Sequence, residues 1–531
     1  MRSKPASTFS RPAPVLLLVL LLGLPSSMLS GRVTNAAPRA TNAAPRPARK
    51  PAAPSGPLAL VPWDAAGALI LDGPDGEAGV RALLAAAAPL APSLQPSLVG
   101  QDLRRAVGVD LLSPEAQAEA GLAPTGPRAL VLGAHALGLS APLADAAKAK
   151  RALEAWLGEL GPTRATRQSP LQGPHASGGG AQERAGWIVP ATGGPRLVTV
   201  SGRGAVVLAI QLGHVGRKDE PPLAAEPQLA AAAQQLAGPA LLWSAGPPPV
   251  RGTLLQLDLS ARGLAARGLL LPAAGAGAGA TDGALPLTAL LSGGSPSVEA
   301  CGAAILCLRA APGPRLRALA AQTAREGVGR WIASAQREAF DGVLQALAAA
   351  ATGGALLRVD SLDVRSLGGS PAHELAALDL LAASGAAAPP AFPAMAAPAG
   401  APPAAGAAIA LAGPPPACAG SDAGLEWFAA PCRRPGPEVV KEVLPAGGPT
   451  ELWARLDTAA LARALAPLTP LDALAGPTPG ALLAVKLLWG GLLAGSGPVT
   501  AALRPPVAPA VPPGSLELEL RWPLPGKAAP Q

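Results

Sequence analysis

Apolar and polar positions in this chain alternate in some stretches and follow a helical period in others. Leu516–Trp522 (LELELRW) alternates apolar and charged residues, which predicts a strand with one buried and one solvated face. From Asp145 to Leu160 the apolar residues Leu153, Trp156, Leu157 and Leu160 form one stripe behind a capping aspartate, predicting a helix. Ser113-Pro114-Glu115 supplies an N-cap followed by proline at the first helical position, predicting a second helix over Ser113–Gly121. Further helices are expected at Gly79–Leu90, Pro222–Leu236, Asp457–Leu465, and from Arg315 to about Gln345 with a break near Gly327–Gly329. Strands are expected around a Pro-Trp-Asp turn in Leu58–Leu71, and at Arg128–His135, Gly186–Pro190, Arg196–Ser201 and Ala205–Gln211. Thr253–Leu259 and Leu264–Leu271 read as two strands joined through Ser260–Gly263, with later strands at Ala303–Arg309, around Leu356–Val364, and at Glu451–Leu456.

Strands and helices mixed in this way predict the α+β class: tandem units with antiparallel sheets and Pro/Ala-rich linkers. Residues 1–30 are read as a signal peptide, 31–57 as a Pro/Ala-rich tether and 58–284 as a first α+β domain. Residues 285–384 form a second unit, 385–417 an Ala/Pro/Gly linker, and 418–531 a C-terminal α+β segment. The joint at 272–283 (PAAGAGAGATDG) is of low complexity, and the tether carries a tandem heptad, TNAAPRA then TNAAPRP. Some patterns recur. An apolar strand ending near an aspartate and followed by an Ala/Leu helix occurs at 68–90 and again at 452–468. Gly-x-Leu-Leu heads apolar, strand-like runs at 252–259, 354–362 and 480–488. These predict diverged copies of one unit.

The leader changes this picture from a bare fold to a location. Arg2, Lys4 and Arg11 precede the apolar run Val15–Leu24, which Pro14 and Pro25 bracket, and no acid occurs before Asp64. That is the layout of a secretory signal. The core is too short for a spanning helix, which needs about 20 apolar residues. An exported protein of the periplasm, cell envelope or exterior is expected, held at the membrane only if the leader stays uncleaved. The leader and tether also explain the charge. The formal net charge is +8, yet the first 50 residues hold eight of the 42 Lys and Arg and no acid, leaving 34 residues of each sign afterwards. A neutral body with nine Trp, four Phe and no Tyr offers neither a phosphate-neutralising patch nor a stacking platform, so nucleic acid is excluded as a partner.

Four cysteines in an exported chain raise disulfide pairing. Cys418 and Cys432 enclose a short loop and are the favoured pair; Cys301 and Cys307 would pair across a turn at Gly302, and free buried thiols are the alternative. Neither spacing fits a zinc site. There is no Gly-x-Ser-x-Gly elbow, no Ser-x-x-Lys and no phosphate loop. His373-Glu374 begins a metalloprotease-like helix, but Ala377 stands where the second histidine would be. His135, His175 and His214 are edge or loop histidines. The carboxylate pairs Asp360 with Asp363, Asp422 with Glu426, and Asp102 with Asp110 are compatible with solvated acids. No catalytic residue, metal ligand, metal or small-molecule cofactor is therefore expected.

LALVPWDAAGALIL (58–71), VGVDLLSPEAQAEAGLAPTGPRALVL (107–132), the capped helix after Asp145 and the closing LELELRWPL together resemble an uncharacterised family of exported proteins, a domain of unknown function, from GC-rich bacteria. The resemblance implies a signal followed by tandem α+β units with curved antiparallel sheets and transfers no catalytic motif. The function expected is that of a non-catalytic envelope or periplasmic protein acting by surface binding or scaffolding, its partner an envelope protein of unknown identity. The alternatives are an exported hydrolase with dispersed acidic residues and a membrane-retained envelope component.

Overall fold

The structure is a computed structural model. It describes residues 56–525 apart from 63–64, 134–135, 160–164, 167–182, 190–193, 203–221, 237, 247–249, 274–286, 292–300, 315, 319–320, 323–336, 352–353, 364–374, 384–406, 412–416, 423–424, 431, 433–449, 469–476 and 507–513. The leader, nearly all of the tether, the predicted strand Ala205–Gln211 and most of the low-complexity joint lie outside the described residues. The chain forms two compact units. One comprises the residues up to Ala88 with Pro92–Pro248 and Gly252–Ala261, the other Pro89–Ala91, Pro249–Arg251 and the chain from Arg262 onward. The class is α+β, with antiparallel sheets as expected.

The strands of the first unit are β1 (Gly67–Asp72), β2 (Pro127–Leu132), β3 (Ala136–Pro142), β4 (Ala165–Thr166), β5 (Glu183–Val189), β6 (Arg196–Gly202), β7 (Ala240–Ala245) and β8 (Val250–Ser260). They pair in the order 8-7-1-2-3-6-5-4, antiparallel throughout except for the short β4–β5 contact. Leu69 of β1 lies in register between Leu130 of β2 and Leu242 of β7. β1 is buried on both faces, which is why GALIL is a continuous apolar run rather than an alternating one.

Helices α1 (Gly73–Ala87), α2 (Pro96–Val107), α3 (Pro114–Glu119), α4 (Ala146–Gly158) and α5 (Pro227–Gln235) belong to this unit, with α1 packed on β1, α2 on β3 and β6, and α4 on β5. The caps read from sequence are present. Ser113 Oγ accepts from the Ala116 amide at 3.1 Å, and one Asp145 carboxylate oxygen accepts from the amides of Ala147 and Lys148 at 2.9 and 3.0 Å. Trp156 and Leu157 of the α4 stripe are buried.

The second unit contains β9 (Gly263–Pro272), β10 (Leu306–Ala310), β11 (Gly354–Asp363), β12 (Leu375–Ala383), β13 (Ala407–Leu411), β14 (Ala417–Asp422), β15 (Leu425–Ala430), β16 (Leu452–Leu456), β17 (Val499–Arg504) and β18 (Leu516–Pro523). Its sheet is antiparallel in the order 9-18-17-16-10-11-12-15-14-13. The helices are α6 (Arg337–Ala350), α7 (Thr458–Leu465) and α8 (Pro477–Gly495). β18 keeps the alternation seen in its sequence, with Leu516, Leu518 and Leu520 buried and the residues between them turned outward.

Register sorts this sheet into two faces. Phe428, Ala417 and Ala419 lie on the face covered by Phe340, Val343, Leu344 and Leu347 of α6, where the Phe340 and Phe428 ring centres are 5.7 Å apart. Their neighbours in sequence, Cys418, Trp427 and Ala429, join Cys301, Cys307 and Leu356 on the opposite face.

The two strand orders follow one path. Adding nine to each label of β8-β7-β1-β2-β3-β6-β5-β4 gives β17-β16-β10-β11-β12-β15-β14-β13, the order found in the second sheet. The topological equivalent of β1 is thus β10, not β16. The strand–Asp–helix resemblance between 68–90 and 452–468 joins elements at different places in the two sheets.

Three expectations are corrected. The run at 480–488 lies inside helix α8, because an unbroken apolar segment carries no period to separate strand from helix, and its Ala and Leu favour helix. Leu375–Ala383 is strand β12 rather than the continuation of a helix begun at His373. Ala407–Leu411, inside the stretch read as linker, pairs with β14 as β13. α2 was not foreseen from the sequence, although Pro96 at its start, Val99, Leu103 and Val107 along one side and Gly108 at φ 87° past its end are its signals.

Candidate functional site

The four cysteines are all bridged. Cys301–Cys307 spans a Cα–Cα distance of 5.5 Å and Cys418–Cys432 one of 4.8 Å. Gly302 has φ 49°, supplying the turn that folds Cys301 back onto the start of β10. Cys307 on β10 and Cys418 on β14 are four strand spacings apart along the sheet, roughly 19 Å. The two bridges are therefore separate clasps on one face.

Around Cys307 that face gathers arginines. In register, Cys307 lies between Arg358 of β11 and Arg455 of β16, and Arg309 lies between Leu356 and Trp453. Each arginine meets its own carboxylate. Arg358 Nη2 is 2.8 Å from Asp360, Arg455 Nη2 is 3.7 Å from Asp457, and the buried Arg309 donates to Glu451 at 2.5 Å. The Arg309 guanidinium also lies 5.2 Å from the Trp453 ring centre, and Arg455 donates to the Gly302 carbonyl at 3.1 Å. Among the described residues these three pairs balance in charge, and they fix the surroundings of strand β10 and the Cys301–Cys307 turn.

The first unit has its own buried pair. Arg128 of β2 and Glu77 of α1 are 2% and 5% exposed at their side chains, and the guanidinium reaches the carboxylate at 2.6 Å. Gln117 of α3 donates through Nε2 to Glu77 and to the Leu111 carbonyl, both at 2.8 Å, and Arg128 Nη2 donates to the Ala123 carbonyl at 2.6 Å. Burial pushes the Arg128 pKa below its ordinary value while Glu77 opposes that shift, and a guanidinium remains charged under any physiological condition. The group ties α1, α3 and β2 together.

A third polar group closes the end of α2. Its last carbonyls would be orphans. Arg104 O accepts from the Gly108 amide, Arg105 O from Arg184 Nη2 and Trp156 Nε1, Ala106 O from Ser201 Oγ, and Val107 O from Thr199 Oγ1. Side chains of β5, β6 and α4 therefore cap a helix distant in sequence, a signal that no local motif carries.

The other acids considered from sequence are dispersed. Asp360 pairs with Arg358, and Glu426 is fully buried with its own partners. Asp110 accepts from the Leu112 amide at 2.8 Å, and Asp102 pairs with the exposed Arg105 at 3.4 Å. The side chains of Asp363 and Asp422 and all four histidines lie outside the described residues. Among the described residues no group of three His, Cys, Asp or Glu is placed to hold a metal ion, and no helix is long and apolar enough to cross a membrane. No protein-family model, curated protein or solved structure matches the chain.

Proposed function

We propose that this is an exported, non-catalytic protein of the periplasm or cell envelope that acts by surface binding or scaffolding, built from two diverged copies of one α+β unit. The observation that carries the location is the engagement of all four cysteines in two bridges, a state maintained in oxidising compartments. The apolar leader with its basic flank supports the same reading. The shared strand path of the two sheets supports duplication. The non-catalytic reading is supported by two deeply buried charge pairs, Arg128 with Glu77 and Arg309 with Glu451, which are spent on joining elements of the fold. The proposed partner is another envelope protein.

Cell fractionation with N-terminal sequencing of the native protein tests the proposal. The expected product starts after the apolar run, sits outside the cytoplasm and has no free thiol. A cytosolic product that retains Met1 and free thiols would overturn it.

A further inference from the structure

The two bridges of the second unit are closed to different degrees. Cys301 and Cys307 are 1% and 0% exposed, and the turn between them is held by more than its bridge. The Ala304 amide donates to the Cys301 carbonyl, the Ile305 amide to Val359, the Asp457 amide to Ile305, and the Arg455 guanidinium to Gly302. Cys418 is equally sealed, 0% exposed on β14 with β13 on one side and β15 on the other. Cys432 differs. It lies past the end of β15 and is only partly buried, tied by its bridge and by packing on the cluster of Cys418, Trp427 and Ala429. That cluster also holds an indole whose polar edge is unmatched: Trp427 is 1% exposed, and its Nε1–H has no acceptor among the described residues.

We propose that Cys418–Cys432 is an exchangeable bridge in the folded protein, that Cys432 is the sulfur a dithiol protein attacks, and that Cys301–Cys307 stays closed throughout. A thiolate displaces a disulfide sulfur from behind, along the line of the bond that breaks. Burial closes that approach at Cys301, Cys307 and Cys418, and Cys432 alone is open in part. The partner's thiolate bonds to Cys432 Sγ, the Cys418–Cys432 bond breaks, and Cys418 leaves with the electron pair and takes up a proton. The partner's second thiol, deprotonated, then displaces Cys432 from the mixed disulfide, and Cys432 is protonated in turn. Two electrons and two protons have passed to the bridge, and the partner's dithiol has become a disulfide.

The fold selects a dithiol over a lone thiol. Cys418 is held in the sheet with its Cα 4.8 Å from that of Cys432, so in the mixed disulfide it is placed to attack Cys432 and expel the newcomer. A monothiol is thereby returned, whereas a dithiol completes the opening by its own intramolecular attack. Opening also relieves Trp427. Once Cys432 is no longer drawn onto the cluster, water reaches the indole N–H, a donor that is costly to keep buried without an acceptor. The release is local to β14 and β15, because the Cys301–Cys307 turn keeps its bridge and its hydrogen bonds. The exchange needs no particular compartment, so it goes beyond the reading of export and surface binding.

The experiment treats the folded, oxidised chain with dithiothreitol, or with 2-mercaptoethanol at equal thiol concentration, then quenches with acid, alkylates, and maps the cysteines by peptide mass spectrometry. With dithiothreitol, Cys418 and Cys432 should be alkylated at least about tenfold faster than Cys301 and Cys307. With 2-mercaptoethanol, net opening should be at least about tenfold slower and the adduct should sit on Cys432. The variants Cys418→Ser and Cys432→Ser, checked for cooperative melting, locate the exchange. The thiol left in Cys418→Ser should react with an aromatic disulfide in the folded protein, and that left in Cys432→Ser only on unfolding. Opening of Cys301–Cys307 first, opening of both bridges together at the rate of global unfolding, or an adduct on Cys418 overturns the proposal, and none of these readings requires a variant. A monothiol as effective as the dithiol overturns the assignment of the partner. Fractionation alone bears on export, so failure of that reading shows separately from failure of this one.

Discussion

Arg184 and Trp156 converge on one carbonyl oxygen. Arg184 Nη2 donates to Arg105 O at 2.8 Å and Trp156 Nε1 to the same oxygen at 3.2 Å, while the guanidinium carbon lies 5.1 Å from the Trp156 ring centre. Helix α4, strand β5 and the end of α2 are thereby locked together by two side chains. Burial lowers the Arg184 pKa and Glu159, 3.5 Å away, raises it, so the charge is retained where the α2 macrodipole is negative.

Trp156→Ala should cost about 3–5 kcal/mol through the cavity it opens, beyond the lost hydrogen bond. Trp156→Phe should cost markedly less, because much of the ring volume remains. Urea unfolding of the oxidised protein measures both, and equal losses would show that packing is not the larger contribution.

Arg128→Met leaves Glu77 buried without its cation and should destabilise by about 3–5 kcal/mol. Adding Glu77→Leu removes the stranded charge, so the double variant should recover part of that loss. A double-mutant cycle with simple additivity would contradict direct coupling of the pair.

Replacing Cys418 and Cys432 together by serine should lower stability by about 3 kcal/mol, as expected for opening a loop of sequence separation 14. The variant should also alter the tryptophan emission, because Trp427 packs in the same cluster. Unfolding followed by fluorescence reads both, and an unchanged midpoint would rule out this clasp as a source of stability.

Asp145 has its pKa lowered chiefly by the Lys148 amide it accepts from, with the Ala147 amide and the charges of Lys148 and Arg151 adding to the effect against desolvation. A folded value below the unfolded one stabilises above the ordinary carboxylate range, and the benefit is lost as pH falls through the lowered folded value. Melting of the parent compared with Asp145→Asn across acidic pH should show the parent's extra sensitivity to acid. Parallel melting curves would contradict a titrating cap at this helix.

Local chemistry was legible wherever one residue decides a local outcome. Ser113 and Asp145 each cap the helix they precede, and the Leu/Glu alternation of β18 survives in its burial. Helix α2 was missed despite its period, whereas two other misses had no periodic mark. The 480–488 run is uniformly apolar, and β13 stands in an Ala/Pro/Gly stretch whose composition suggests a linker. The polar networks were equally hidden, since Glu77 and Arg128, or Arg309 and Glu451, are brought together by the fold across long separations in sequence.

By itself, the sequence determined the α+β class, the caps, the half-solvated closing strand and the candidate cysteine pairs, because each depends on residues near one another along the chain. Only the tertiary structure decided the strand order, and with it the equivalence of β1 to β10, because hydrogen-bonded neighbours in these sheets come from distant segments. It also decided which charges are buried and which cysteine is left partly exposed, because burial depends on the neighbours packed against a residue as well as on its own chemistry.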